Sequence, residues 1–100
     1  MEPELVADLY LYPTEEGGRK LPISEGFRCP SYSRKDNREN GWTCFPHIGE
    51  VPLAPGQKRR IGFSFLLPEA AEEMRRTGKI YLWDARCIGE ATIVPDGSGA

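Results

Sequence analysis

Four residues of this sequence carry side chains that could hold a metal ion or act as a nucleophile. Cys44 and His47 are separated by two residues in the motif Cys-Phe-Pro-His, and Cys29 and Cys87 add two further thiols. Together they could supply the four sulfur and nitrogen ligands of a tetrahedral zinc site. Zinc sites usually pair close ligands at both ends of the motif, whereas Cys29 and Cys87 are each isolated from a second ligand. The spacing therefore favours reduced, structural cysteines, and we expect no metal or other cofactor.

The Cys44–His47 pair could also act as a thiol nucleophile and its general base. Pro46 stiffens the chain between them, and no neighbouring third group would orient the imidazole. The paired carboxylates Glu15–Glu16 and Glu72–Glu73 do not suggest catalysis either, because adjacent residues point in different directions on a strand or helix. We therefore predict that the protein is not an enzyme, and we keep a thiol or zinc site at Cys44 and His47 as a third hypothesis.

A second group of residues could bind a partner through charge and aromatic rings. Tyr10 and Tyr12 lie on the side of an alternating segment opposite to its aliphatic residues, where the core does not need them. Basic residues occur in short clusters, which a barrel could bring together at one end. The predicted RNA- or partner-binding residues are Arg19, Lys20, Arg34, Lys35, Lys58, Arg60, Tyr10 and Tyr12.

Length and composition limit the classes of protein that fit. The chain has 100 residues, of which 39% are hydrophobic and 28% are charged, as is typical of one soluble domain. The formal net charge of −2 gives no overall attraction to nucleic acid or to an acidic membrane, so either would need a local basic patch. No segment reaches membrane-spanning length and no basic and apolar leader is present, so we expect a cytoplasmic protein that does not bind membranes.

Short strands must position these residues, because nine prolines and eleven glycines interrupt the chain. The alternation of apolar residues is clearest over 5–12 and 58–67. Strands are also predicted over 27–33, 42–45, 79–83 and 86–94, with a shorter one over 20–23. A polar loop is expected over 34–41, and one short helical turn near residues 69–77, before Gly78. This pattern is typical of an all-β barrel or sandwich.

Several turn signatures recur in a known order along the chain. The first is Ala7-Asp-Leu-Tyr-Leu-Tyr12 followed by Glu15-Glu-Gly-Gly-Arg19, and later ones are Val51-Pro-Leu-Ala-Pro-Gly56 and Arg86-Cys-Ile-Gly89. In these motifs the chain resembles the third, C-terminal β-barrel domain of translation elongation factor Tu. The resemblance implies an all-β fold, a six-stranded antiparallel closed β-barrel. We expect a flexible N-terminus over 1–4, a single barrel domain over 5–94 and a flexible tail over 95–100.

The resemblance also bears on function. In the family a separate domain binds and hydrolyses GTP, and this sequence contains no Gly-x-x-x-x-Gly-Lys-Ser/Thr loop. The third domain of the family helps to grip the T stem of aminoacyl-tRNA, and it packs against neighbouring domains and the exchange factor. A related barrel without the GTPase domain is therefore expected to work by binding.

Most positions that contact tRNA in the family differ in this sequence. Arg19 keeps the family's arginine, and Lys20 replaces a histidine with another donor. Pro30 stands where a glutamine reaches the RNA, Leu67 where a lysine precedes the proline, and Trp83–Asp84 where the family has a glutamate and a glycine. If each lost contact contributes ~1 kcal/mol, three losses weaken RNA binding roughly a hundredfold.

We therefore expect a non-enzymatic, stand-alone binding module that resembles the third domain of elongation factor Tu, lacks the GTPase domain and binds a protein, with a translation-associated role. The main alternative is a module that binds tRNA-like or other structured RNA through Arg19, Lys20 and the nearby basic clusters. The sequence leaves the identity of the partner and the oligomeric state open.

Overall fold

A computed structural model describes residues 2–36 and 41–95. The middle of the predicted polar loop, residues 37–40, and most of the predicted tail, residues 96–100, lie outside the described residues. The elements in chain order are β1 (Leu5–Leu11), a single 3-10 turn (Thr14–Glu16), β2 (Cys29–Tyr32), β3 (Trp42–Pro46), β4 (Lys58–Phe65), α1 (Pro68–Thr77), β5 (Lys79–Trp83) and β6 (Cys87–Ile93). Within this part of the chain no helix is long and apolar enough to cross a membrane.

The strands close into a barrel in the order β1-β4-β3-β2-β5-β6. All neighbouring strands, including β6 and β1, pair antiparallel. Closure gives each of the six described strands a hydrogen-bonded neighbour on both sides. The prediction of a six-stranded antiparallel closed β-barrel with one short helix is confirmed.

The core is built from the inward positions of the strands. In β1 the residues Leu5, Ala7, Leu9 and Leu11 are buried, and the residues between them are exposed or half-buried, as the alternating pattern predicts. Phe63 in β4 is fully buried and belongs to the same core cluster. The outward positions of β1 are therefore left for the surface, which places Tyr10 outside the barrel.

The helix α1 begins and ends where the sequence predicts. Pro68 occupies the first turn, where its missing N–H breaks no helical hydrogen bond, and Gly78 ends the helix with a left-handed φ of 80°. The Gly78 N–H donates to the Met74 carbonyl over 2.8 Å. Ala70, Ala71 and Met74 are buried in the core cluster, so one face of α1 packs on the barrel.

One predicted strand, over 20–23, is reduced to an isolated bridge between Ile23 and Leu53. Pro22 and Pro52 stand directly before the two bridged residues and have no N–H to donate, so the ladder does not extend. The two backbone bonds of the bridge, each 2.9 Å long, still tie the segment to the barrel.

The segment before β1 is hydrogen-bonded to β4. The Glu4 N–H donates to the Phe63 carbonyl over 2.8 Å, and the Phe65 N–H donates to Oε1 of Glu4 over 2.9 Å. Ser64 Oγ donates to the Glu2 carbonyl over 3.1 Å, and Ser64 is buried although it is an outward position of its strand. The flexibility expected for residues 1–4 stays a prediction.

Candidate partner-binding surface

The structure places Cys44 and His47 in different surroundings. Cys44 lies inside the barrel directly opposite Cys29 in the β2–β3 pairing, and both thiols are buried in the core. A hydrogen bond with Cys44, together with burial, raises the pKa of Cys29, so this thiol stays protonated. A buried, protonated thiol is inert as a nucleophile.

The imidazole of His47 is engaged outside the barrel. His47 Nε2 lies 2.7 Å from Ser64 Oγ. Since the single hydroxyl proton of Ser64 is donated to the Glu2 carbonyl, the imidazole N–H must be the donor to Ser64. Within residues 2–36 and 41–95 no three His, Cys, Asp or Glu side chains are gathered around one point where a metal could bind. Of the four ligands of the zinc hypothesis, Cys29 and Cys44 face each other, but the other two do not join them at one point.

Tyr10 and Tyr12 come together on the outer surface of the barrel. Tyr10 in β1 lies across from Lys58 in β4 on one side and Glu90 in β6 on the other. The two tyrosine rings pack edge to face, with centroids 5.9 Å apart and planes 70° apart. Both rings are half-buried and Lys58 is exposed. Two of the predicted aromatic residues and one of the predicted cations therefore share one surface.

Glu90 fixes the ring of Tyr12. The phenol of Tyr12 donates to Glu90 Oε1 over 2.8 Å, and Lys79 Nζ donates to Glu90 Oε2 over 3.2 Å. The hydrogen bond from Tyr12, supported by the ammonium of Lys79, lowers the pKa of Glu90. Burial, and then the bond to Glu90, raise the pKa of Tyr12. The carboxylate is therefore charged and the phenol neutral, which suits a strong charge-assisted hydrogen bond.

Lys35 reaches the same place from a distant part of the chain. It follows β2, and its ammonium lies 5.0 Å from the ring centroid of Tyr12 in a cation–π contact. We call the surface formed by Tyr10, Tyr12, Lys35, Lys58 and Glu90 the tyrosine face. Glu90 was not among the predicted residues. Its outward position in the strand next to β1 would have identified it, but only once the strand order was known.

Other predicted cations are paired with carboxylates. Arg60 donates to both carboxylate oxygens of Asp8, over 2.8 and 3.3 Å, and this pairing lowers the pKa of Asp8. Arg19 donates to Asp84 over 3.1 Å and to the Leu21 carbonyl over 2.8 Å. These solvent-exposed ion pairs contribute little to stability, but they reduce the free positive charge available for phosphate groups.

Several of the predicted basic residues lie on one outer surface of the barrel. Lys35 and Lys58 belong to the tyrosine face, and Arg60 lies on the same outer surface one outward position further along β4. Arg34 is exposed next to Lys35, while Lys20 is exposed beside Arg19 in the turn after β1.

No protein-family model matches this chain, and comparison with the curated proteins finds no match. The protein is a closed six-stranded β-barrel with a half-buried aromatic surface. The relation to elongation factor Tu stays a prediction that rests on the sequence motifs.

Proposed function

We propose that this protein is a non-enzymatic binding module that docks a protein partner on the tyrosine face. The observation that carries the proposal is the packed pair of Tyr10 and Tyr12, which lies outside the barrel beside the exposed Lys58. Tyrosine combines a large apolar ring with a polar hydroxyl, and it is enriched in protein interfaces. Because Glu90 and Lys35 hold Tyr12 in place, little side-chain freedom is lost when a partner binds.

The charges on this side of the barrel support a protein partner over RNA. Asp8 and Glu90 place carboxylates on the outer surface of β1 and β6, where they interrupt the continuous positive charge that an RNA backbone needs along its length. Arg60 and Lys79 are already paired with these carboxylates. Alternating charges around an aromatic centre complement the mixed polar rim of a protein surface.

The sequence motifs support a translation-associated role. In the family that they resemble, the barrel packs against other domains and against the exchange factor. We extend the proposal to a cytoplasmic module whose activity is binding and not GTP hydrolysis.

The proposal is tested by comparing tagged baits in a lysate of the source organism, with crosslinking and quantitative mass spectrometry. The baits are the unaltered protein, Tyr10→Ser and Val51→Ser. Val51 is the control, because it is 65% exposed and lies in the loop between β3 and β4. We expect a protein that is recovered by the unaltered and Val51→Ser baits but about tenfold less by Tyr10→Ser. Equal recovery by all three baits would contradict the proposal.

Titration with structured RNA at several salt concentrations addresses the alternative. Tight binding that weakens steeply with salt, and whose salt dependence flattens in Arg19→Ala with Lys20→Ala, would favour an RNA-binding module instead. We expect weak binding that the two substitutions leave almost unchanged, because Arg19 is already paired with Asp84.

A further inference from the structure

A cavity of about 570 Å³ opens beside the tyrosine face, between two walls. The loop after β2 contributes Arg34, Lys35 and Asp36 to one wall, and the end of α1 with the start of β5 contributes Arg76, Lys79 and Tyr81 to the other. Four cationic side chains thus line the cavity together with one carboxylate. Its volume lies within the range of about 300–1,000 Å³ that is typical of small-molecule sites.

The two walls are held in place by hydrogen bonds. Ser33 Oγ donates to Glu73 Oε2 over 2.8 Å, which joins the loop to α1. Thr77 Oγ1 donates to the Met74 carbonyl over 3.2 Å at the end of the helix, and Lys79 Nζ donates to Thr92 Oγ1 over 2.9 Å. A ligand would therefore meet a cavity whose backbone is already positioned.

The cations of the cavity differ in how far they are already engaged. Lys79 is paired with Glu90, and Lys35 lies over the ring of Tyr12. The guanidinium groups of Arg34 and Arg76, both exposed residues, form no hydrogen bond or ion pair with residues 2–36 and 41–95. Two arginines from different elements therefore line one cavity, and neither guanidinium group is paired with a carboxylate of the described residues.

We infer that this cavity binds a small phosphorylated molecule of about nucleotide size. Guanidinium groups donate two parallel hydrogen bonds to phosphate oxygens, so Arg34 and Arg76 are suited to hold the phosphate from two sides. The ring of Tyr81 offers an apolar wall for the organic part of the ligand. This inference does not depend on the protein partner, and its test avoids Lys35, which the cavity shares with the tyrosine face.

The test is a titration of the full chain at low ionic strength with adenosine monophosphate, inorganic phosphate and adenosine, followed by calorimetry and amide chemical shifts. We expect saturable binding of adenosine monophosphate, weaker binding of inorganic phosphate and no binding of adenosine. Stronger binding of inorganic phosphate than of the nucleotide would overturn the part of the inference that assigns Tyr81 to the organic moiety. Absence of saturable binding of either phosphate probe at about 10 mM would overturn the inference as a whole.

Two double variants with equal loss of charge locate the binding. Arg34→Gln with Arg76→Gln removes both free guanidinium groups from the cavity, and Lys20→Gln with Arg28→Gln removes two exposed cations that do not line it. We expect the first pair to weaken nucleotide binding at least about tenfold and the second to change it less than about twofold. Equal weakening by the two pairs would show a general charge effect and overturn the assignment. The guanidinium groups of Arg34 and Arg76 form no hydrogen bond or ion pair with the described residues, so thermal unfolding should confirm that both double variants remain folded.

Discussion

The outer surfaces of β4 and β1 lie side by side in the barrel, but their outward residues differ in size. Toward the C-terminal end of β4 the outward residues are Gly62 and Ser64, and the N-terminal segment lies over both. A Cβ atom at Gly62 would come within 2.5 Å of the Pro3 side chain, and the Ser64 hydroxyl is bonded to the Glu2 carbonyl. Small outward residues here allow the chain to cover its own barrel.

The outward residues at the C-terminal end of β1 and just after it are large. The rings of Tyr10 and Tyr12 pack against each other and stay half-buried, and Lys58 is exposed across from Tyr10. Rings of this size keep a covering segment away from the backbone and offer an amphipathic surface instead. The size of the outward residues thus separates a surface that stabilises the fold from the surface that we propose for binding.

The largest effect is expected where the barrel is covered by its own chain. Gly62→Val places atoms where Pro3 lies, so the N-terminal segment must move or the strand must shift. We expect the free energy of unfolding to fall by about 2 kcal/mol in chemical denaturation. Lys58→Val, at an exposed outward position of the same strand, should change it by less than about 0.5 kcal/mol.

A double-mutant cycle tests whether the cost of Gly62→Val comes from contact with Pro3. Combining Gly62→Val with Pro3→Gly removes the side chain that the new valine would contact. The cost of Gly62→Val should then shrink, which gives a coupling energy of about 1 kcal/mol between the two positions. A cost that is the same in both backgrounds would mean that Pro3 does not cover this surface.

An intermediate effect is expected within the tyrosine face. Tyr12→Phe removes the hydrogen bond to Glu90 and should lower the free energy of unfolding by about 1 kcal/mol at neutral pH. Tyr10→Phe is the matched control, because the Tyr10 hydroxyl forms no hydrogen bond with the described residues, and it should have almost no effect. Equal effects of the two substitutions would show that the bond to Glu90 contributes nothing.

The effect of Tyr12→Phe should also depend on pH. The pKa of Glu90 is lowered in the folded protein, so its contribution to stability is complete above the unfolded pKa, near 4.5. That contribution is lost as the pH falls below this value and through the lower folded pKa. The difference between the unaltered protein and Tyr12→Phe should therefore shrink at acidic pH, as measured by denaturation at pH 7 and at about pH 3.

The smallest effect is expected from the cation above Tyr12. Lys35→Gln removes the contact with the ring and should lower the free energy of unfolding by about 0.5 kcal/mol. Arg34→Gln, at the neighbouring residue whose guanidinium group has no hydrogen bond or ion pair with the described residues, should leave it unchanged. If the two substitutions had the same effect, the loop after β2 would not be held by Lys35.

Much of the fold follows from local sequence patterns. The alternation in β1 predicts which residues are buried, and Pro68 and Gly78 mark the two ends of α1. The short strand predicted over 20–23, where Pro22 suits only an edge or a strand end, is reduced to a single bridge. Pro22 and Pro52 each remove a hydrogen-bond donor, and only one bridge survives.

The candidate site was predictable only in part. Tyr10 and Tyr12 follow from the alternation, since their side of the strand lies outside the core. Which cations are free does not follow from the sequence. Arg59, within the run of basic residues 58–60, donates to the carbonyls of Ile48 and Val51 and holds a loop in place. A count of positive charges along the chain does not distinguish a cation that is engaged in this way from one that is free.

The sequence by itself determined which side of each long strand faces inward, where the helix begins and ends, and which residues were available for a surface. The tertiary structure alone decided which of them meet. Arg60 reaches Asp8 across 52 positions of sequence, and Lys35 reaches Tyr12 although two other strands lie between β2 and β1 in the barrel. Local patterns follow from residue size, polarity and backbone preference, whereas these contacts depend on strand order, register and barrel closure.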